Sequence, residues 1–138
     1  MIATYRREVA TRGQGDAHDI SEMVAAAVAE SACAAGLATI FVVGSTASVT
    51  TIEYEPGAVA DLNQALEKIA PRAETYRHHL RWGDDNGSSH VRAALMGPTL
   101  TVPFAEGRLT LGTWQQIALI ELDTRPRRRE IVIQVLGE

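Results

Sequence analysis

From His90 to the C-terminus the chain is almost entirely a succession of short strand-like segments. VRAALMG, TLTVPF, RLTLG, QIALIELD and REIVIQVLG follow one another. Gly-Pro, Glu-Gly, Thr-Trp and Arg-Pro separate them, and such pairs turn the chain rather than extend it. So many strands leave edges that must be covered, and oligomerisation is a common remedy.

The first half adds the helices. Residues Ile2 to Thr11 read as a half-exposed strand. DISEMVAAAVAESACAAG then reads as an alanine-rich helix, with Asp19 and Glu22 as a capping box and Gly36 as the stop. LATIFVV (37–43) is a continuous apolar run, the pattern of a strand covered on both faces. SVTTIEY (48–54) reads as another strand and EPG as a turn. ADLNQALEKIAP (60–71) is a second helix, because Val59, Leu62, Leu66 and Ile69 recur at spacings of three and four and Pro71 ends the run. Two main helices before a series of strands imply an α+β class with a mostly antiparallel or mixed sheet, in one domain over residues 1–138.

Composition narrows the function classes. A formal charge of −4 gives no reason to expect nucleic acid as a partner. No stretch approaches 18 apolar residues, and the N-terminus lacks the apolar core of a signal peptide. The expectation is a cytoplasmic protein with no membrane partner. Cys33 is the only cysteine, which excludes an internal disulfide, and it reads as a small buried residue. Of the 13 basic residues only Lys68 is not arginine. Either codon usage or anion recognition by the guanidinium fork accounts for that.

The segment RHHLRWGDDNGSSH (77–90) holds three of the 4 histidines. Asp84-Asp85-Asn86-Gly87 by itself describes a hydrophilic turn. His79 reads as a surface residue and His18 as a solvated one. If residues 77–79 are extended, His78 and His79 point oppositely, so only one can join His90. A third metal ligand would then come from Glu53, Asp84, Asp85 or another subunit. Gly44-Ser45-Thr46 follows an apolar strand, where backbone N–H groups can turn toward an anion. TRPRRRE, with Arg125, Arg127, Arg128 and Arg129, reads equally as a phosphate site and as a solvated hairpin loop.

GRLTLGTWQQIALIELDTRPRRREIVIQVLGE contains G-x-L-x-L-G-T-W-Q-x-I, then E-x-D, an arginine-rich turn and a valine-rich strand ending in Gly. With N-G-x-x-H-x-x-A-x-L-x-G-P from Asn86, Val102-Pro103, Tyr76-Arg77-His78, and Glu53 and Glu55 before Pro56, this resembles the YjbQ-like family over essentially the whole chain. Its members are also called secondary thiamine-phosphate synthases. The resemblance implies a YjbQ-like homotrimer with pockets near subunit boundaries, and a small-molecule site where histidines gather, often read as a metal site. The implied reaction joins a pyrimidine pyrophosphate to a thiazole phosphate and releases pyrophosphate. The alternatives are a metal-dependent hydrolase of a small phosphorylated metabolite and a non-enzymatic trimeric binding protein.

On this resemblance His78, His90, Asn86 and Glu53 form the catalytic set. His78 and His90 are metal ligands for a divalent ion, Zn²⁺ or Mg²⁺, and no organic cofactor is implied. Arg77 and Arg92 are phosphate clamps. Ser45, Thr46, Thr113, Trp114 and Gln115 are placed against the substrate. The chain also departs from the family's commoner form. Gly44 stands where that form has a histidine, and Ser88-Ser89-His90 replaces His-x-His.

Overall fold

The computed structural model describes all 138 residues. Eight strands and four helices form an α+β fold with two antiparallel sheets. The larger sheet runs β1 (Ile2–Ala10), β8 (Arg128–Gly137), β3 (Gly36–Val42), β5 (Thr99–Ala105) and β6 (Arg108–Leu109) in spatial order. The smaller has β7 (Gln116–Glu121) between β2 (Ala17–Asp19) and β4 (Ala47–Ile52).

The expected apolar strand covered on both faces exists, but it is β7 and not the 37–43 run. Ile117 and Leu119 enter one core with Val49, Val24 and Val28, while Ala118, Ile120 and Leu122 meet Leu66 and Ala93 on the opposite side. In β3 only alternate residues are buried. Ala38, Ile40 and Val42 face the core, whereas Leu37 and Phe41 are each 42% exposed. An apolar run alone does not say which face is covered.

Helix α1 (Ser21–Ser31) buries Val24, Ala27 and Val28. It is shorter than read. Its N-cap is Ile20, with the Asp19 carboxylate accepting from the Ser21 N–H at 2.9 Å, and the chain leaves it at Ala32, which takes a left-handed conformation. Gly36 opens β3 instead of ending this helix. Helix α2 (Pro56–Ile69) begins where EPG suggested a turn. Pro56 sits at its start, and the Glu55 carboxylate caps it by accepting from the N–H groups of Gly57 and Ala58.

Two further helices correct the two-helix expectation: α3 (Arg77–Trp82) and α4 (Gly87–Met96). The segment VRAALMG, read as a strand, lies in α4. Its burial recurs at four, with Ser88 and Arg92, and Ser89 and Ala93, turned inward, and Ala, Leu and Met favour the helical state. Buried Arg92 donates from Nε to the Ala70 carbonyl at 3.0 Å and from Nη2 to Glu67 at 2.6 Å, which ties α4 to the end of α2. RLTLG contributes only the two-residue β6.

Candidate functional site

Three chain segments meet around a cavity of about 330 Å³: the β3–β4 turn, the α3–α4 region and the β7–β8 connection. Gly44, Ser45 and Thr46 come from the first, His78, Asp84, Asn86 and His90 from the second, and Asp123, Arg125, Arg127 and Arg129 from the third. A cavity of this size suits a small metabolite. Of the residues the resemblance selected, Ser45, Thr46, His78, Asn86 and His90 come together here, joined by Asp84 and by Arg125, Arg127 and Arg129 of the arginine-rich turn.

The rings of His78 and His90 lie 4.3 Å apart at 39°. Both residues are helical, not extended, which changes the expected geometry. On α4, Ser88 and His90 do not share a face, and Ser88 is fully buried with its hydroxyl unpartnered. His79 turns its Nδ1 to the Asp84 carbonyl at 2.6 Å. His78 Nδ1 lies 3.0 Å from Asp84 Oδ1, an ion-pair separation that lacks the direction of a hydrogen bond. Burial, and then the neighbouring His78, hold the His90 pKa below the ordinary imidazole value, so neutral His90 is the favoured form.

Beside these rings lie two acid–arginine pairs: both carboxylates are buried, as is Arg129, while Arg127 is half-buried. Arg127 donates to Asp123 Oδ2 from Nε at 2.9 Å and Nη2 at 2.6 Å, while Thr46 and Asn86 also donate to that carboxylate. Arg129 meets Glu121 side by side, with Nε to Oε1 at 2.8 Å and Nη2 to Oε2 at 2.5 Å. Glu121 and Asp123 are fully buried and Arg129 is 6% exposed. Arg129, which the sequence offered only as one of the TRPRRRE cluster, turns inward because it falls in phase with Ile131, Ile133 and Val135. Of the arginine-rich turn, Arg125 and Arg127 line the cavity, whereas Arg128 faces outward and pairs with Glu8.

Burial works to raise the Asp123 pKa, but hydrogen bonds from Arg127, the Thr124 N–H, Asn86 and Thr46 bring it to about 2, from 3.8. A depressed carboxyl stabilises the fold above its unfolded value, and that stability is lost as pH falls from 3.8 toward 2. Asp123 therefore contributes about 2 kcal/mol at neutral pH. Urea unfolding between pH 5 and pH 2 should show this loss, and Asp123→Asn should flatten that part of the profile. An unchanged profile would place the acid sensitivity elsewhere.

The other selected residues lie apart from this cavity. Glu53 is exposed beyond the end of β4, and Arg77 is exposed at the start of α3. Arg92 lines a separate polar cleft with Gln14, Asn63 and Glu67. In the turn before β7, Gln115 folds back onto Gly112 N–H at 3.0 Å, Thr113 accepts from Gln116 through its carbonyl, and Trp114 is 74% exposed. Gln115 faces a groove with Thr51 and Pro103.

The metal implied by the resemblance needs ligands that one chain does not assemble. A catalytic zinc requires three protein ligands. No group of three or more His, Cys, Asp or Glu side chains is arranged to hold an ion. The nearest carboxylates are engaged, Asp84 beside His78 and Asp123 with Arg127, Asn86 and Thr46. The pocket is instead rich in hydrogen-bond donors.

The pattern of the UPF0047 protein YjbQ-like family matches residues 5–138. The chain belongs to this family. A UPF0047 protein of Methanothermobacter thermautotrophicus is 37% identical over 120 residues, spanning 87% of this chain and 82% of the relative. Another, from Synechocystis sp., is 34% identical over 143 aligned residues, with 99% and 96% covered. A crystal structure from Sulfolobus solfataricus P2, described as a YbjQ-like protein of unknown function, superposes with a TM-score of 0.89 at 31% identity and covers both chains completely. The YjbQ-like fold is therefore established, with all four helices. No helix is long and apolar enough to cross a membrane.

Proposed function

We propose that this YjbQ-like protein is an enzyme acting on a small phosphorylated metabolite in the cavity between His78, His90 and the β7–β8 arginines. The observation that carries this reading is the convergence of the His78–His90 imidazole pair with Arg125, Arg127 and Arg129 in one small cavity. The family resemblance supplies the candidate reaction, in which a pyrimidine pyrophosphate is joined to a thiazole phosphate. Pyrophosphate departs with the bonding electrons, and guanidinium groups are a natural means of stabilising that charge. No protein nucleophile is required. In this reading His90, whose burial and His78 neighbour favour the neutral imidazole, accepts or relays a proton.

The proposed assembly is a homotrimer. Exposed Leu37, Phe41 and Leu136 on the outer face of the larger sheet support association, because an apolar face of this kind gains by being covered.

The test supplies both organic substrates to the purified protein and to His90→Ala and follows thiamine phosphate and pyrophosphate. The expected result is product from the native chain and a loss of about 10²-fold or more in the variant. Phosphate release from either substrate alone would favour the hydrolase. Binding with no turnover in any combination would favour a non-enzymatic binding protein.

A further inference from the structure

Gly44 has φ +133°, and a Cβ added there would stand 2.7 Å from Nη1 of Arg129. The guanidinium thus occupies the space that any side chain at position 44 would need. Its other edges are fixed. Nε and Nη2 engage Glu121, and Nη2 also donates to the Thr46 hydroxyl at 2.7 Å and the Thr46 carbonyl at 3.0 Å. Nη1 alone donates to nothing in the protein, although Arg129 lines the cavity. Nη1 is not sealed in the interior but opens to the cavity, where a ligand oxygen can take its hydrogen bonds in place of water. Because the guanidinium is already clamped, little side-chain freedom remains to be lost on binding.

We propose that Nη1 of Arg129 is the anchoring donor for a phosphoryl group and that Gly44 is the residue that admits it, so that the oxyanion is held without a metal. This rests on reading the cavity as the site of a phosphorylated metabolite. A glycine at position 44 leaves room for this fixed cation, which any side chain there would displace. Ser45 and Arg125, both exposed and without hydrogen-bond partners, provide further donors at the rim. The buried Asn86 Oδ1 has no partner either, since its amide nitrogen is turned to Asp123. The preferred ligand therefore pairs a phosphoryl group with a hydroxyl or amino donor that Asn86 can accept.

The probe is inorganic phosphate, titrated calorimetrically into the full chain in the presence of EDTA. Arginine side-chain nitrogen resonances are followed in parallel. Native protein should bind phosphate with an affinity that EDTA does not alter, and the Arg129 Nη signals should shift on saturation. Gly44→Ala should weaken binding by about tenfold or more, because its methyl group displaces the anchoring nitrogen. Phosphate bound equally well by Gly44→Ala, or Arg129 signals that stay in place, would overturn the anchor while leaving the pocket's assignment intact. A requirement for added divalent metal would overturn the metal-free claim. A native chain that binds no phosphate would overturn the pocket's assignment and the anchor together. Should Gly44→Ala fail to fold, the resonances of the native protein decide.

Discussion

Glu121→Ala lowers the unfolding free energy by about 3–5 kcal/mol, the cost of stripping a buried charge of its partner. The Glu121 carboxylate is fully buried and accepts from Thr11 Oγ1 at 2.6 Å, from two nitrogens of Arg129, and from the N–H groups of Leu122 and Asp123 at 3.1 and 3.0 Å. Its removal leaves the Arg129 guanidinium in the interior without a counter-ion. It also strands donors from three segments of the chain. The exposed pair Arg6–Glu130 is the natural control, since both side chains keep much of their hydration and such pairs contribute about 0–1 kcal/mol. The double replacement Glu121→Leu with Arg129→Met should cost much less than the two single losses added together, because no charge is then abandoned. Urea denaturation of the four proteins supplies the comparison. A loss near 1 kcal/mol for Glu121→Ala would mean that water reaches the pair and that the floor of the pocket is not preorganised.

How legible this was in the sequence depends on periodicity. β1 and β8 alternate cleanly, and α2 has apolar residues at helical spacing, so these elements could be read from the chain with small errors at their ends. Where the sequence reading failed, two structures share one local pattern. VRAALMG is a short apolar run with an arginine inside it, and only the inward-facing Ser88 and Ser89 just before it, together with Arg92 and Ala93, distinguish helix from strand. A serine pair is not a signal that a hydrophobicity pattern can use. The same limit explains the exchange of roles between β3 and β7, because what covers each strand is decided by distant segments.

The site divides along a similar line. Asn86 and His90 lie in a family motif, and Ser45 and Thr46 end an apolar strand, so each carried a local signal. Glu53, Arg92 and Gln115 carried signals too, but α2, α4 and the Gly112–Gln115 turn take them elsewhere. Glu121 and Asp123 were visible only as the E-x-D of the motif. Their meaning depends on Arg127 and Arg129 returning on the next strand, and the hairpin makes that juxtaposition. Gly44 could be noticed as a missing histidine, yet nothing in the sequence says what stands in its place.

Gly36→Ala should cost about 3 kcal/mol, the upper range for forcing atoms into a packed site. The argument turns on which property of glycine this position uses. Read as the end of a helix, Gly36 would serve for its conformational freedom, and a substitution would cost about 1 kcal/mol. In the fold it begins β3, opposite Gly137 of β8, and an added Cβ would stand 2.1 Å from the Leu136 carbonyl oxygen and 2.7 Å from the Gly137 Cα. Backbone atoms in the centre of a sheet cannot turn aside as a flexible side chain can. Gly137 answers with the same constraint, since its own Cβ would meet the Ala35 carbonyl at 2.4 Å. This close passage lets Ala34 and Ala35 hydrogen-bond the terminal residue, Glu138. Gly83 provides the contrasting case. Its φ is +68° and a Cβ there meets nothing within 4 Å, so Gly83→Ala isolates the conformational cost, about 1 kcal/mol. Thermal and urea unfolding of the two variants separate the explanations. Equal losses would mean that the β3–β8 contact relaxes and that Gly36 acts only through its dihedral angle. A clearly larger loss at Gly36 would establish close backbone approach as the constraint that holds the C-terminal strand in register.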